Sequence, residues 1–166
     1  SRVGRKQGLA ARLTSHAIAQ EAKDGALVSG LGMFEQGFYN RLGFGTGQYE
    51  NQISFDPQMI TVPFQKRPPI RLTKDDFEMI HASRNGVKKH HGYVSFNHTG
   101  MTKTTLCDTK KGFGLGYRDD STGELTHHIW FHVIDAENGP YFIQWMAFQN
   151  PEQFLELMGV VRSLGD

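Results

Sequence analysis

Along residues 9–23, LAARLTSHAIAQEAK, apolar side chains fall at Leu9, Leu13 and Ala17, with Ala10 and Ile18 beside them. Recurrence every three to four residues marks one face of a helix. Asp24-Gly25 supplies its stop, because glycine accepts the left-handed backbone at a helix end. The next apolar run, ALVSG, predicts a short buried strand, and residues 34–42 predict a brief helix closed by Gly43. In YENQISFD, Tyr49, Asn51, Ile53 and Phe55 alternate onto one face, which predicts a strand with one polar member. PFQKRPPIR holds three prolines and reads as a linker dividing the chain near residue 65.

The second part starts afresh. Thr73, with Asp76 three positions on, predicts a capped helix over roughly 74–84 that Asn85-Gly86 should end. Residues 92–111 show no clear period. Three strands follow, GFGLGYR, ELTHHIWFHVID and PYFIQWMAF, joined by the turn sequences DDSTG and AENG. In the middle strand Ile129, Phe131 and Val133 share one face, and His128, Trp130 and His132 the other. Asn150 caps a last helix with Pro151 at its first position. Phe154, Leu157, Met158, Val161 and Leu164 form its apolar stripe. The pattern predicts an α/β (α+β) fold, a mixed sheet with antiparallel hairpins and helices on its faces.

Composition narrows the function. With 166 residues, 38% of them hydrophobic, the chain is long enough for a packed core in one domain or parts of two. A net charge of +1 lacks the basic excess of a nucleic-acid binder. No apolar run reaches the roughly 20 residues that span a bilayer. Cys107 is the only cysteine, so no internal disulfide forms, which suits a reducing, cytoplasmic compartment. His90-His91 with His98, and His127-His128 with His132, raise a zinc site. Adjacent strand histidines point to opposite faces, however, and no cysteine pair accompanies them, so no metal is expected. GFGLG does not precede a helix and reads as a strand with close backbone packing rather than a phosphate loop. Cys107 lacks an evident base and reads as inert.

RKQGLA, residues 5–10, opens the first helix. The first amides of a helix have no internal partner, and the dipole there attracts anions. Gly8 and Ala10 are small enough for a pyrophosphate to approach, and Arg5 and Lys6 add charge. Some thirty residues on stands FYNRLGF. RKQGLA resembles the acetyl-CoA pyrophosphate loop of the Gcn5-related N-acetyltransferases, Gln/Arg-x-x-Gly-x-Gly/Ala, on Arg5, Gly8 and Ala10. FYNRLGF resembles their later Phe-Tyr-x-x-x-Gly-Phe motif on Tyr39, Gly43 and Phe44. The second half is similar to the tandem-domain, enhanced-intracellular-survival (Eis-like) branch.

The resemblance implies an N-acetyltransferase that moves acetyl from acetyl-CoA to a small-molecule or peptide amine, as part of a larger tandem-domain protein. Residues 1–64 would be the C-terminal half of an acetyl-CoA-binding domain. Residues 65–166 would be the N-terminal part of a second, degenerate one, whose strand-to-helix junction WMAFQNPEQF carries no pyrophosphate motif. Val3, Arg5, Lys6, Gln7, Gly8, Leu9 and Ala10 would contact the cofactor, and Tyr39 would protonate the departing thiolate. No base is named; Glu35 reads as a solvated carboxylate. No nucleic acid, membrane or metal enters this expectation. The alternative is a non-catalytic interaction or oligomerisation module, self-associating and without a complete cofactor cleft.

Overall fold

A computed structural model describes residues 3–32, 35–47, 52–62, 67–87, 98–108 and 112–165. The chain falls into two compact units, Ser1–Ile53 and Ser54–Asp166.

The first unit carries two helices, α1 (Leu9–Lys23) and α2 (Gln36–Asn40). α1 ends as expected: the Asp24 amide donates to Gln20, and Gly25 takes φ 95°. The expected strand at ALVSG is absent, and Leu27 and Val28 are 98% and 86% exposed. Residues 52–56 of the expected YENQISFD strand are also irregular, with Ile53 80% exposed; Tyr49, Glu50 and Asn51 lie outside the described residues. Alternation predicts a strand only where a neighbouring strand satisfies the backbone. Here no described strand pairs with either segment.

The second unit is an α+β fold built on one antiparallel sheet in the order β1-β2-β3-β4. The strands are β1 (Ile70–Leu72), β2 (Gly112–Arg118), β3 (Leu125–Val133) and β4 (Tyr141–Ala147). β1 corrects part of the expected linker: Leu72 is buried and sits opposite Gly114. Between β1 and β2 lie α3 (Phe77–Gly86) and α4 (Thr99–Asp108), and α5 (Pro151–Arg162) follows β4. Residues 54–62 belong here too. Gln58 in the short 3-10 turn Pro57–Met59 donates to the Gly165 carbonyl, and Ile60 packs near α5's partners.

Apolar residues fill both sheet faces. Tyr117, Ile129, Phe131 and Val133 pack against Leu157, Val160 and Val161 of α5. On the other face Leu72, Leu125 and Trp130 pack with Ile80 of α3 and Leu106 of α4. The two bulges assign these faces. Tyr117 pairs with His127 and Arg118 with Leu125, so Thr126 is the extra residue and Leu125 moves to the α3–α4 side. Trp130 pairs with Trp145 and Phe131 with Ile143, which makes Gln144 the extra residue in β4. The close packing expected of GFGLG is real. A Cβ on Gly114 would lie 2.8 Å from the Trp130 ring, and one on Gly116 2.8 Å from His128 Cβ.

Candidate functional site

The residues singled out by sequence sit in the first unit. Val3, Arg5, Lys6 and Gln7 form an exposed turn ahead of α1, in which the Gln7 amide donates to the Val3 carbonyl at 3.2 Å. Gly8 is the N-cap, at φ 69°, ψ 11°, and no side chain caps the helix. The first helical hydrogen bond runs from Arg12 N to Gly8 O, so the amides of Leu9, Ala10 and Ala11 precede it. No acidic residue stands in that first turn, and the space beside Gly8 is open.

Tyr39 lies on α2, whose cap is Glu35: the carboxylate accepts from Phe38 N at 2.6 Å. Glu35 therefore has a local structural task. The Tyr39 ring meets Phe38 and Phe44 edge-on, with centroids 5.1 and 5.9 Å away. Gly43, at φ 91°, turns the chain so that Phe44 N reaches the Tyr39 carbonyl. The sequence FYNRLGF thus folds into an aromatic clasp about Tyr39. The ring contacts described for Tyr39 and the hydrogen bond described for Gln7 are both local.

A second constellation, in the second unit, was not anticipated. A polar cleft of about 470 Å³ is lined by Arg67, Arg118, Asp119, Asp120, Thr126, His127 and the start of α5. At its wall His127 Nε2 lies 2.8 Å from Glu156 Oε2, while Arg67 grips the same carboxylate with Nε and Nη2. Thr126 Oγ1 lies 2.8 Å from His127 Nδ1 and 2.9 Å from the Tyr117 carbonyl. Tyr117 stacks on His127, and its hydroxyl donates to the Arg67 carbonyl.

Burial lowers the His127 pKa, with Glu156 opposing. Burial would raise Glu156, but hydrogen bonds from Arg67 and His127 outweigh it and hold the carboxyl below its usual range. Neutral His127 therefore donates Nε2–H to ionised Glu156, and the single Thr126 proton is shared between Nδ1 and the Tyr117 carbonyl. Protonating His127 turns Nδ1 into a donor and sends the threonine proton wholly to Tyr117. The network can take up a proton without losing a hydrogen bond. Burial, then the Glu156 charge, pushes the Tyr117 phenol up to about 12.

The remaining histidines do not gather. His128 is buried: its Nε2 accepts from Trp145 Nε1 at 3.0 Å, so Nδ1–H faces Ser83 Oγ. His132 lies beside Phe142, His98 accepts from Gly100 N, and His90 and His91 lie outside the described residues. Among the described residues no group of three or more His, Cys, Asp or Glu could hold a metal ion. Cys107 is exposed. At the second strand-to-helix junction, Asn150 Oδ1 accepts from Gln153 N and Gln153 Oε1 from Gln149 N, so this helix start is closed by its own side chains. Among the described residues no helix is long and apolar enough to cross a membrane.

No protein-family model, no curated protein and no solved structure matches this chain.

Proposed function

We propose that this chain takes part in acetyl transfer from acetyl-CoA to an amine, with the first unit holding the cofactor's pyrophosphate. The observation that carries the reading is the start of α1. A helix of 15 residues begins there with no side-chain cap, no acid in its first turn, a left-handed Gly8 and the charges of Arg5 and Lys6 ahead of it. Phosphate oxygens would accept from the amides of Leu9, Ala10 and Ala11, with the helix dipole and the two cations adding attraction. As the amine attacks the thioester carbonyl and the C–S bond breaks, the Tyr39 hydroxyl would give its proton to the departing sulfur, and the proton lost by the amine, passed through water, would restore the phenol. The aromatic contacts of Phe38 and Phe44 would hold that ring in place.

Calorimetric titration with CoA tests the cofactor site. Gly8→Leu should weaken binding by about 1 kcal/mol or more. That variant also forces leucine into a left-handed conformation, so Ala10→Glu is the companion. An acid in the first turn favours the helix but repels phosphate, so it should weaken CoA binding while helicity holds. If CoA binds Ala10→Glu as it binds the parent, the pyrophosphate is not at this loop.

One observation favours the second reading, an interaction module. Among its described residues the first unit buries none, and Leu13, Leu27 and Val28 are 71%, 98% and 86% exposed. Apolar groups so placed gain by covering. Concentration-dependent self-association together with no heat on adding CoA would favour that reading.

A further inference from the structure

Arg84 stands in the last turn of α3, half-buried, with its guanidinium carbon 4.0 Å above the centre of the Trp145 ring. Of its five N–H donors, one has an acceptor among the described residues: Nη1 donates to Thr102 Oγ1 at 3.2 Å. That oxygen is also shared with His81 Nδ1 at 3.0 Å. Among the described residues the ion pairs are Arg67–Glu156 and His127–Glu156, and neither involves Arg84. The adjoining sequence brings no counter-ion: residues 88–97, KKHHGYVSFN, contain no aspartate or glutamate. Burial accordingly holds the guanidinium below its usual pKa, with no carboxylate opposing.

The same corner is short of acceptors one layer deeper. Trp130 stacks on Trp145 at 5.9 Å and 10°, and its buried Nε1 has no hydrogen-bond partner. Arg84, Trp145 and Trp130 thus form one stack in which donors outnumber acceptors. Arg67 is the contrast in this unit: half exposed, it has both oxygens of Glu156. A half-buried cation normally has a partner, because taking a charge out of water is costly. The Trp145 face and the carbonyl end of α3 offset part of that cost. Among the described residues no anion meets the guanidinium fork.

We infer that Arg84, backed by Trp145, is a binding site for an oxyanion, a carboxylate or a phosphoryl group gripped by the guanidinium fork. The planar fork matches two oxygens of either group at once. The site is in the second unit and does not rest on the acetyl-transfer reading.

The chain's only two tryptophans are both in the stack, so its own fluorescence reports on the site. The full chain is titrated with inorganic phosphate and, separately, with acetate, at ionic strength held constant with chloride. The Arg84 Nε–H resonance is followed by NMR in parallel. A saturable fluorescence change with a shift of that resonance is expected, and the tighter of the two probes names the oxyanion. Arg84→Gln should weaken binding about tenfold or more, and Arg84→Lys, which keeps the charge but loses the fork, should weaken it too. A fold held by Lys keeps the test valid where Gln unfolds the unit. No saturable change with either probe, an Arg84 resonance that stays in place, or equal binding by Arg84→Lys and the parent overturns the site.

Discussion

At the scale of single residues, Tyr39 carries the chemical weight of the proposed function. Its ring is held edge-on by Phe38 and Phe44, neither of which needs the hydroxyl. Tyr39→Phe should therefore keep the clasp while removing the proton donor. In the acetyltransferase reading, turnover with an acceptor amine falls by about 10²-fold or more, the scale of a lost general acid. In that reading the Michaelis constant for acetyl-CoA should hardly move, since the pyrophosphate would be held at α1, away from the hydroxyl. Steady-state rates of the parent protein and this one variant decide it, and an unchanged turnover reduces Tyr39 to packing. Glycine matters at the same scale for a different reason. Gly114 and Gly116 are required by the Trp130 ring and by His128, which occupy the space where a Cβ would stand.

Among the elements, the entry to α3 shows how local sequence sets a boundary. Thr73 Oγ1 accepts from Asp75 N, Asp76 Oδ2 accepts from Thr73 N at 2.8 Å, and the short 3-10 turn Lys74–Asp76 leads into the helix. Thr73→Ala removes one arm of this capping box and should cost about 1 kcal/mol. A lower urea midpoint with an unchanged slope is the expected result, and no change would mean that Asp76 alone holds the entry. α4 shows the opposite case. Its inward positions are Thr102 and Leu106, both buried, and Thr102 is satisfied by Arg84 and His81. A polar residue on the buried face erases the apolar period, so the helix was not legible in TGMTKTTLCD.

On the scale of the whole molecule, the two units differ in what holds them. The second has a core on both sides of its sheet, and a neutral histidine inside it. Burial lowers His128 to about 3, whereas in an unfolded chain it titrates near 6.5. A depressed pKa contributes stability that is fully present above the unfolded value and is lost as pH falls. Between pH 6.5 and 4 the loss is about 3 kcal/mol. The lowered values of His127 and, below its usual range, Glu156 act in the same direction. Urea unfolding followed by tryptophan fluorescence at pH 7 and pH 4 should show this fall, and His128→Gln, which keeps an acceptor for Trp145, should flatten it. Equal falls in parent and variant would move the acid sensitivity elsewhere.

Periodicity and capping residues by themselves determined α1, α2, α3, the three long strands and α5, because those signals act within a few residues of chain. The α+β class followed from their order, and the two faces of β3 from simple alternation. Three things needed the tertiary structure. ALVSG and ISF look like strands but have no described partner, and pairing lies outside any local pattern. The bulges at Thr126 and Gln144 depend on the register of neighbouring strands, and the first of them carries Leu125 to the opposite face. The His127–Glu156–Arg67 network and the Arg84–Trp145 stack join residues 29 to 89 positions apart, or on different elements altogether. No spacing rule connects them. Only the packing of α3 and α5 on opposite faces of one sheet brings those groups together, and among the described residues it gives Arg84 no carboxylate.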